Sequence, residues 1–269
     1  ADVVAEVTEQ FKQEGIELMS QCKPKSFAMV NGEKQATIDT PEGEQTLVFD
    51  AMIMAVGREA NVKGYGLDNL NIQLDERGNI LVDEYLETSM PGVYAVGDVI
   101  GGYQFTHVSA HEAWYASVNA LFGHLKRFKA DYSVIPWATY TDPQIGRVGL
   151  NETDAKAQGI AFEVTKFEIK ELDRAIVDGQ ARGFVKVLTV PGKDKILGAT
   201  IVGAMAGELM AEFVLAMRHG LGLNKILGTI HAYPTMMEAN KYVAGEWKRN
   251  HAPQGLLKLV EKLHTWRRK

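Results

Sequence analysis

The chain predicts an α/β region followed by an α+β domain in which an antiparallel sheet carries helices. Two patterns point there. A short apolar strand, Val93 to Val96, stops at Gly97-Asp98 and leads through a glycine-rich turn into a helical stretch, Thr106 to Gly123. Strand, turn and helix in that order make an α/β unit. From Tyr132 onward, strands come first and helices afterwards, the order of an α+β layer domain. Of 269 residues, 46% are hydrophobic and 23% charged, enough for a sizeable core, and the length suggests roughly two domains.

Asp2 to Glu14 reads as a helix with Gly15 as its C-cap, and Ile16 to Met19 as the next strand. Phe27 to Val30 and Gln35 to Ile38 alternate around Asn31-Gly32, a strong hairpin signal. Gln45 to Val56 reads as further strand. In the second half, strands are expected near Trp137, near Phe162, at Phe184 to Val190 and at Ile196 to Val202. Pro191-Gly192-Lys193-Asp194 forms the hairpin loop between the last two. Helices are expected at Gly207 to His219, around Asn224 and from Thr235 to Trp247. Trp114, Leu121 and Phe122 on the Thr106–Gly123 helix are read as core.

Several motifs stand in one order along the chain. Asp50-Ala51-Met52-Ile53-Met54-Ala55-Val56-Gly57-Arg58 is an apolar run closed by a glycine. Leu67 to Asp83 follows, with Glu76-Arg77-Gly78-Asn79 as a turn before Ile80 to Asp83. Next come Thr88 to Val99, then Ala138 to Gly149, then His231-Ala232-Tyr233-Pro234-Thr235-Met236-Met237-Glu238-Ala239. Together these resemble the pyridine nucleotide–disulfide oxidoreductases, the flavoenzyme family of lipoamide dehydrogenase, glutathione reductase and mercuric reductase. The resemblance implies three regions: residues 1–56, the C-terminal fragment of an NAD(P)-binding domain; 57–131, a second FAD-binding segment; and 132–269, a dimerisation domain. The fold class is then an α/β fragment of nucleotide-binding domains followed by an α+β dimerisation domain.

By the same resemblance the cofactors are FAD and NAD(P)H. Asp98 is expected to hydrogen-bond the ribityl chain, with Gly97 allowing close approach, and Thr106, His107 and Val108 to lie at the flavin pyrimidine. Gly57 and Arg58 are further cofactor-binding candidates. A helix start offers unsatisfied N–H groups and a positive dipole end to such a ligand. The Gly-x-Gly-x-x-Gly fingerprint is not in this sequence, and Cys22 is the only cysteine, so the family's redox pair is not here either. The expectation is therefore the C-terminal part of a longer flavoenzyme, which passes a hydride from NAD(P)H to FAD and on to a disulfide, metal ion or other acceptor. The alternative is that the isolated chain is a catalytically inactive dimerisation module.

The candidate catalytic residues are Tyr233, Glu238 and His231. In disulfide-reducing relatives a histidine precedes this proline, since imidazole gives and takes a proton near neutrality. A phenol of pKa about 10 stays protonated and acts as a hydrogen-bond donor. Mercuric reductases and soluble transhydrogenases of the family look similar to this chain here, which shifts weight away from dithiol substrates. His231 is the alternative proton carrier if the segment is extended. The resemblance also implies a cis Tyr233–Pro234 bond, with Thr235 capping the helix that carries Glu238.

His107 and His111 have the i, i+4 spacing of metal ligands, but no third ligand stands nearby, so no metal is expected. Cys22 lies beside Lys23 and Lys25, which could lower its pKa, but it reads first as a lone surface or strand thiol. A homodimer through 132–269 is expected, with Leu209, Phe213 and Met217 within or beneath its interface. A net charge of −5 gives no reason to expect nucleic acid, and one cysteine fits a reducing, cytoplasmic setting. Leu256, Leu259, Val260, Leu263 and Trp266 make an apolar stripe beside Lys258, Lys262, Arg267, Arg268 and Lys269. That tail, 256–269, either docks on its own domain or partner subunit or lies on an anionic membrane.

Overall fold

The computed structural model describes residues 2–268; of the tail's basic residues, Lys269 lies outside them. The chain forms two compact units, one from Met19 to Tyr132 and one joining the segment up to Leu18 with Ser133 onward.

The first unit begins with a three-stranded antiparallel sheet, β1 (Lys23–Val30), β2 (Glu33–Thr40) and β3 (Gly43–Phe49). Asn31 and Gly32 both have positive φ, 52° and 86°, which closes the β1–β2 hairpin with the twist the strands need. Among the sheet's side chains only Ala36 and Ile38 on β2 are buried.

Two expected strands are missing in whole or in part. Ile16–Met19 has no ladder, and the expected strand from Gln45 to Val56 is paired only as far as Phe49, beyond which Ile53 is 92% and Val56 84% exposed. An apolar run becomes a buried strand only when strands on both sides take its N–H and C=O groups. β3 ends at Phe49, and no described strand pairs with residues 50–58. The stretches Ile80–Asp83 and Val93–Val96 are likewise reduced to isolated bridges, Leu74 to Ile80, Val82 to Thr88 and Glu87 to Tyr94. A short 3₁₀ turn, Gly97–Ile100, follows.

The expected helix is present as α2 (Thr106–Phe122) once α1 (Asp2–Gln13) is counted. Its buried residues are Val108, Glu112, Ala116 and Asn119, one stripe at helical spacing. Trp114, Leu121 and Phe122, expected in the core, lie on the exposed side instead. Asn119 is fully engaged. It donates to Tyr85 O at 3.0 Å and Phe128 O at 2.8 Å, and accepts from Phe128 N at 2.8 Å.

The second unit is built on a five-stranded antiparallel sheet ordered β4-β5-β8-β7-β6. Its strands are β4 (Pro136–Thr139), β5 (Gln144–Gly149), β6 (Glu163–Glu168), β7 (Phe184–Thr189) and β8 (Ile196–Gly203). Every residue of β7 is buried. β7 and β8 are joined through the expected loop, where Lys193 N donates to Val190 O at 2.9 Å. Short helices α3 (Glu152–Ala157), α4 (Asp173–Val177) and α6 (Leu223–Leu227) connect the layers. α5 (Ala206–Arg218) covers β4, β5 and β8, and α7 (Glu238–Asn250) covers β6 and β7.

Leu209 and Phe213 of α5 are core residues of this unit, at 2% and 0% exposure, and Met217 packs against the same core. They serve the sheet-facing side of α5, whereas Leu215 is the exposed apolar residue of that helix. The last helix, α8 (Gln254–Arg267), buries none of its residues, so its apolar stripe is not docked on its own domain. α1 is held by side chains of the second unit. Lys186, itself buried on β7, donates to Asp2 at 2.9 Å and to Glu152 at 2.6 Å, and Arg182 bonds the Glu6 carboxylate, the Glu6 carbonyl and Gln10.

Candidate functional site

The cofactor-binding candidates gather around one turn of the first unit. Arg58 Nη1 donates to Asp98 Oδ2 at 2.9 Å and to Gln104 O at 2.8 Å, which ties residue 58 to the 97–104 segment. Both side chains remain about half exposed, so the Asp98 carboxylate stands beside a guanidinium at the surface. Gly97 has a φ of +78°, and a Cβ there would come within 2.8 Å of Ser109 Oγ on α2. What the glycine admits is therefore α2 itself.

The turn is anchored from below by a residue that sequence reading passed over. Glu112, buried on α2, accepts from Gly97 N at 2.6 Å and from the Tyr132 hydroxyl at 2.8 Å. Burial, and then the Glu112 hydrogen bond and charge, push the Tyr132 phenol well above its ordinary range. A glutamate in the middle of a helix reads as solvent-facing; the only signal of its burial is its place between Val108 and Ala116 at i, i+4 spacing.

At the start of α2 the candidates separate. Val108 is buried and its N–H goes to Phe105 O at 3.0 Å, so it supports the helix from within. Thr106 is exposed, and the His107 ring stacks on Phe105 with centroids 5.2 Å apart. His111, four residues on, contacts Asp131 O at 3.1 Å through Nε2. Gly57 has a φ of +145° and open space where a Cβ would stand. A half-exposed carboxylate next to a helix start is able to accept from hydroxyls, and in that respect fits the ribityl chain and one ring edge of a flavin. The residues present offer no glycine-rich phosphate loop.

The second cluster lies in the other unit. The Tyr233–Pro234 bond is cis, as expected, and so is Asp142–Pro143. Tyr233 is 68% exposed and donates its hydroxyl to Asp173 Oδ2 at 3.0 Å. That hydrogen bond, with the carboxylate charge behind it, holds its phenol pKa above the usual range. Asp173, at the start of α4, is sixty positions away and carries no sequence signal.

Glu238 is buried and spends its oxygens elsewhere, accepting from Thr235 N at 3.1 Å and from the Tyr242 hydroxyl at 3.4 Å. Burial and the Glu238 charge raise the Tyr242 phenol as well. Tyr242 follows Glu238 by four residues on α7, a pairing that helical spacing could have revealed. Thr235 does not cap this helix. Its hydroxyl donates to Ala232 O at 2.7 Å, and the bond at the helix start runs the other way, from the Thr235 N–H to Glu238.

His231 is not placed beside Tyr233's partner. Its ring is only 4% exposed and turned onto α5, with Nε2 at 2.9 Å from Glu212 Oε1 and Nδ1 at 3.1 Å from Thr229 O. The other Glu212 oxygen accepts from Asn240 Nδ2 at 3.0 Å, so His231 belongs to a polar link between α5 and α7. Cys22 is partly exposed, with Sγ 3.3 Å from Ser20 O.

Comparison with known proteins gives these geometries a context. Residues 1–113 match the family described as pyridine nucleotide-disulphide oxidoreductase, and residues 135–244 match that family's dimerisation domain. A dihydrolipoyl dehydrogenase of Chlamydia muridarum is 34% identical over 237 residues, covering 88% of this chain and 50% of that protein. A dihydrolipoamide dehydrogenase of Chaetomium thermophilum is 35% identical over 243 residues, covering 87% and 46%. The chain thus spans about half the length of the curated relatives it matches. Among solved structures, the HOCl-induced flavoprotein disulfide reductase RclA from Escherichia coli has the same fold, with a TM-score of 0.82 at 23% identity over 91% of this chain and 55% of that one. LpdA from Mycobacterium tuberculosis gives the same TM-score and identity, covering 91% and 52%. With both family segments matched in order, and relatives of this likeness along most of its length, the chain belongs to the pyridine nucleotide–disulfide oxidoreductase family.

Proposed function

We propose that this chain is the C-terminal portion of an FAD-dependent NAD(P)H oxidoreductase. The observation that carries the reading is the Arg58–Asp98 pair, seated on the Gly97 turn that Glu112 pins to α2, inside a segment matching the family. Asp98 would hold the ribityl hydroxyls, and Thr106 with the His107 backbone would lie at the ring edge. Bound flavin supplies the hydride and electron chemistry. The residues of this chain bind, orient and donate hydrogen bonds.

Tyr233 keeps its one hydroxyl proton, which at rest it gives to Asp173; as a hydrogen-bond donor at the electron acceptor the hydroxyl would turn from Asp173 toward it. Such a donor suits an acceptor that needs no proton shuttle, so a metal ion or a second nucleotide ranks ahead of a dithiol. Glu238 serves by ordering the 235–242 segment through Thr235 and Tyr242. The matched dimerisation domain supports a homodimer through 132–269, and a single cysteine supports a reducing, cytoplasmic setting.

The second reading is a catalytically inactive dimerisation module, favoured by the lack of a Gly-x-Gly-x-x-Gly loop in this sequence. A visible spectrum of the purified chain, with and without added FAD, separates the two. A flavin band that stays with the protein on gel filtration and weakens in Asp98→Ala supports the first. A colourless protein that takes up no FAD supports the second. Sedimentation as a monomer at micromolar concentration would remove the homodimer.

A further inference from the structure

We propose that α8 is an interfacial helix that seats the protein on an anionic bilayer surface. The inference does not rest on the flavin reading. At 100° per residue, Trp266, Leu259, Leu263, Leu256 and Val260 fall within one arc of about 120°, with Leu257 on its flank. None of them is covered: Leu259 is 62% and Trp266 73% exposed, and α8 has no buried residue. An apolar stripe of that width on a helix about 21 Å long is costly to leave in water.

The charges say what covers it. Segment 254–269 has five basic residues (Lys258, Lys262, Arg267, Arg268, Lys269) against Glu261, a balance of +4 in a chain of net −5. The rest of the chain is therefore −9, so this terminal segment is net positive in a chain that is otherwise net negative. Lys262 borders the apolar arc beside Trp266, and Arg268 borders it beside Leu257. Arg267 falls inside the arc, between Leu256 and Val260, but stands at the last position of the helix, where its stem can run along the apolar face and its guanidinium stay in water. Lysine and arginine at the edges of a Leu/Trp stripe suit an interface where acyl chains meet anionic headgroups, and tryptophan prefers that depth.

A protein receptor would need an apolar groove with acidic borders. One groove in the same unit, formed by Pro136, Gly207, Met210, Val214 and Leu215, is apolar but has no carboxylate in its lining, and another, with Glu171 and Glu246, is lined by Lys241 and Arg249 as well. With 14 residues α8 is shorter than the ~20 a span requires, and no described helix is long and apolar enough to cross a membrane. The helix therefore lies in the interface plane.

The test is co-sedimentation of the full chain with phosphatidylcholine vesicles, alone and mixed with phosphatidylglycerol. Binding should appear only with the anionic lipid and weaken in high salt. The double variant Lys258→Ala/Lys262→Ala should bind roughly 25-fold more weakly, about fivefold per charge. Leu259→Asp/Leu263→Asp should abolish binding while leaving the thermal melt of the protein unchanged, since neither residue is packed. Emission should shift to the blue on binding, and the shift should be lost in Trp266→Phe. Equal binding to neutral vesicles, no binding to either, or unchanged affinity in both double variants would overturn the proposal. So would a dimer that falls apart in Leu259→Asp, which would assign the stripe to a second copy of the chain.

Discussion

Replacing Glu112 by alanine removes the acceptor beneath the Asp98 turn, and its cost can be worked from two bonds. The Gly97 N–H is buried, and its 2.6 Å bond to Glu112 is charge-assisted. Left unpaired it costs about 1–3 kcal/mol. The Tyr132 hydroxyl, half-buried, loses its 2.8 Å bond but can regain water, adding about 1 kcal/mol. The expected loss is about 3 kcal/mol of local stability. Glu112→Gln keeps a carbonyl for Gly97 and presents an amide to the Tyr132 oxygen, so it should cost only about 1 kcal/mol. Native-state hydrogen exchange reads this at the 97–100 turn and along α2 without requiring the two units to unfold together. Exchange there should quicken roughly 100-fold in Glu112→Ala and about fivefold in Glu112→Gln. No change in Glu112→Ala, or equal losses in the two variants, would show that the carboxylate does not hold the turn.

Gly97→Ala should destabilise the first unit by about 1–3 kcal/mol, since the new Cβ meets Ser109 in a left-handed backbone; adding Ser109→Gly should restore part of it in a urea melt. Tyr132 has a raised pKa in the fold, so its contribution is complete below the ordinary phenol value of about 10 and is lost as pH rises beyond it; Tyr132→Phe should flatten that alkaline loss. For Asp2, burial works toward a higher pKa, but the Lys186 hydrogen bond and charge outweigh it and hold it low. Its hold on α1 is therefore complete above the ordinary carboxylate value of about 4 and is lost as pH falls through the lower folded value. Proteolysis of residues 2–13 should rise in acid, and a flat profile would refute the clip. Asp173→Asn should lower the pH at which Tyr233 ionises, read as phenolate absorbance against Tyr233→Phe; an unchanged titration would remove Asp173 as its partner.

Local chemistry was legible from residues alone. Asn31-Gly32 tolerates two positive φ angles in succession, and that is a property of those two residues. α2, α5, the β7–β8 loop and the stripe on α8 follow in the same way from periods and turn residues within a few positions. The order of family motifs was equally legible, because it needs no contact at all.

Tertiary structure decided whatever depends on a partner distant in sequence. The apolar run at 50–58 has strand composition, yet Ile53 lies open because no neighbouring strand takes its hydrogen bonds. Leu209 and Phe213 could have faced a partner or a core, and the sheet beneath α5 claimed them. Glu112 reads as a surface charge until Gly97 and Tyr132 close on it, and His231 as a proton carrier until Glu212 takes its ring. The sequence by itself determined the longer helices, the two hairpin turns and the family, since backbone preference and apolar period act over one or two turns. Only the tertiary structure decided which polar groups are buried together, because hydrogen bonds between residues 15 or more positions apart leave no local trace, as Gly97, Glu112 and Tyr132 illustrate.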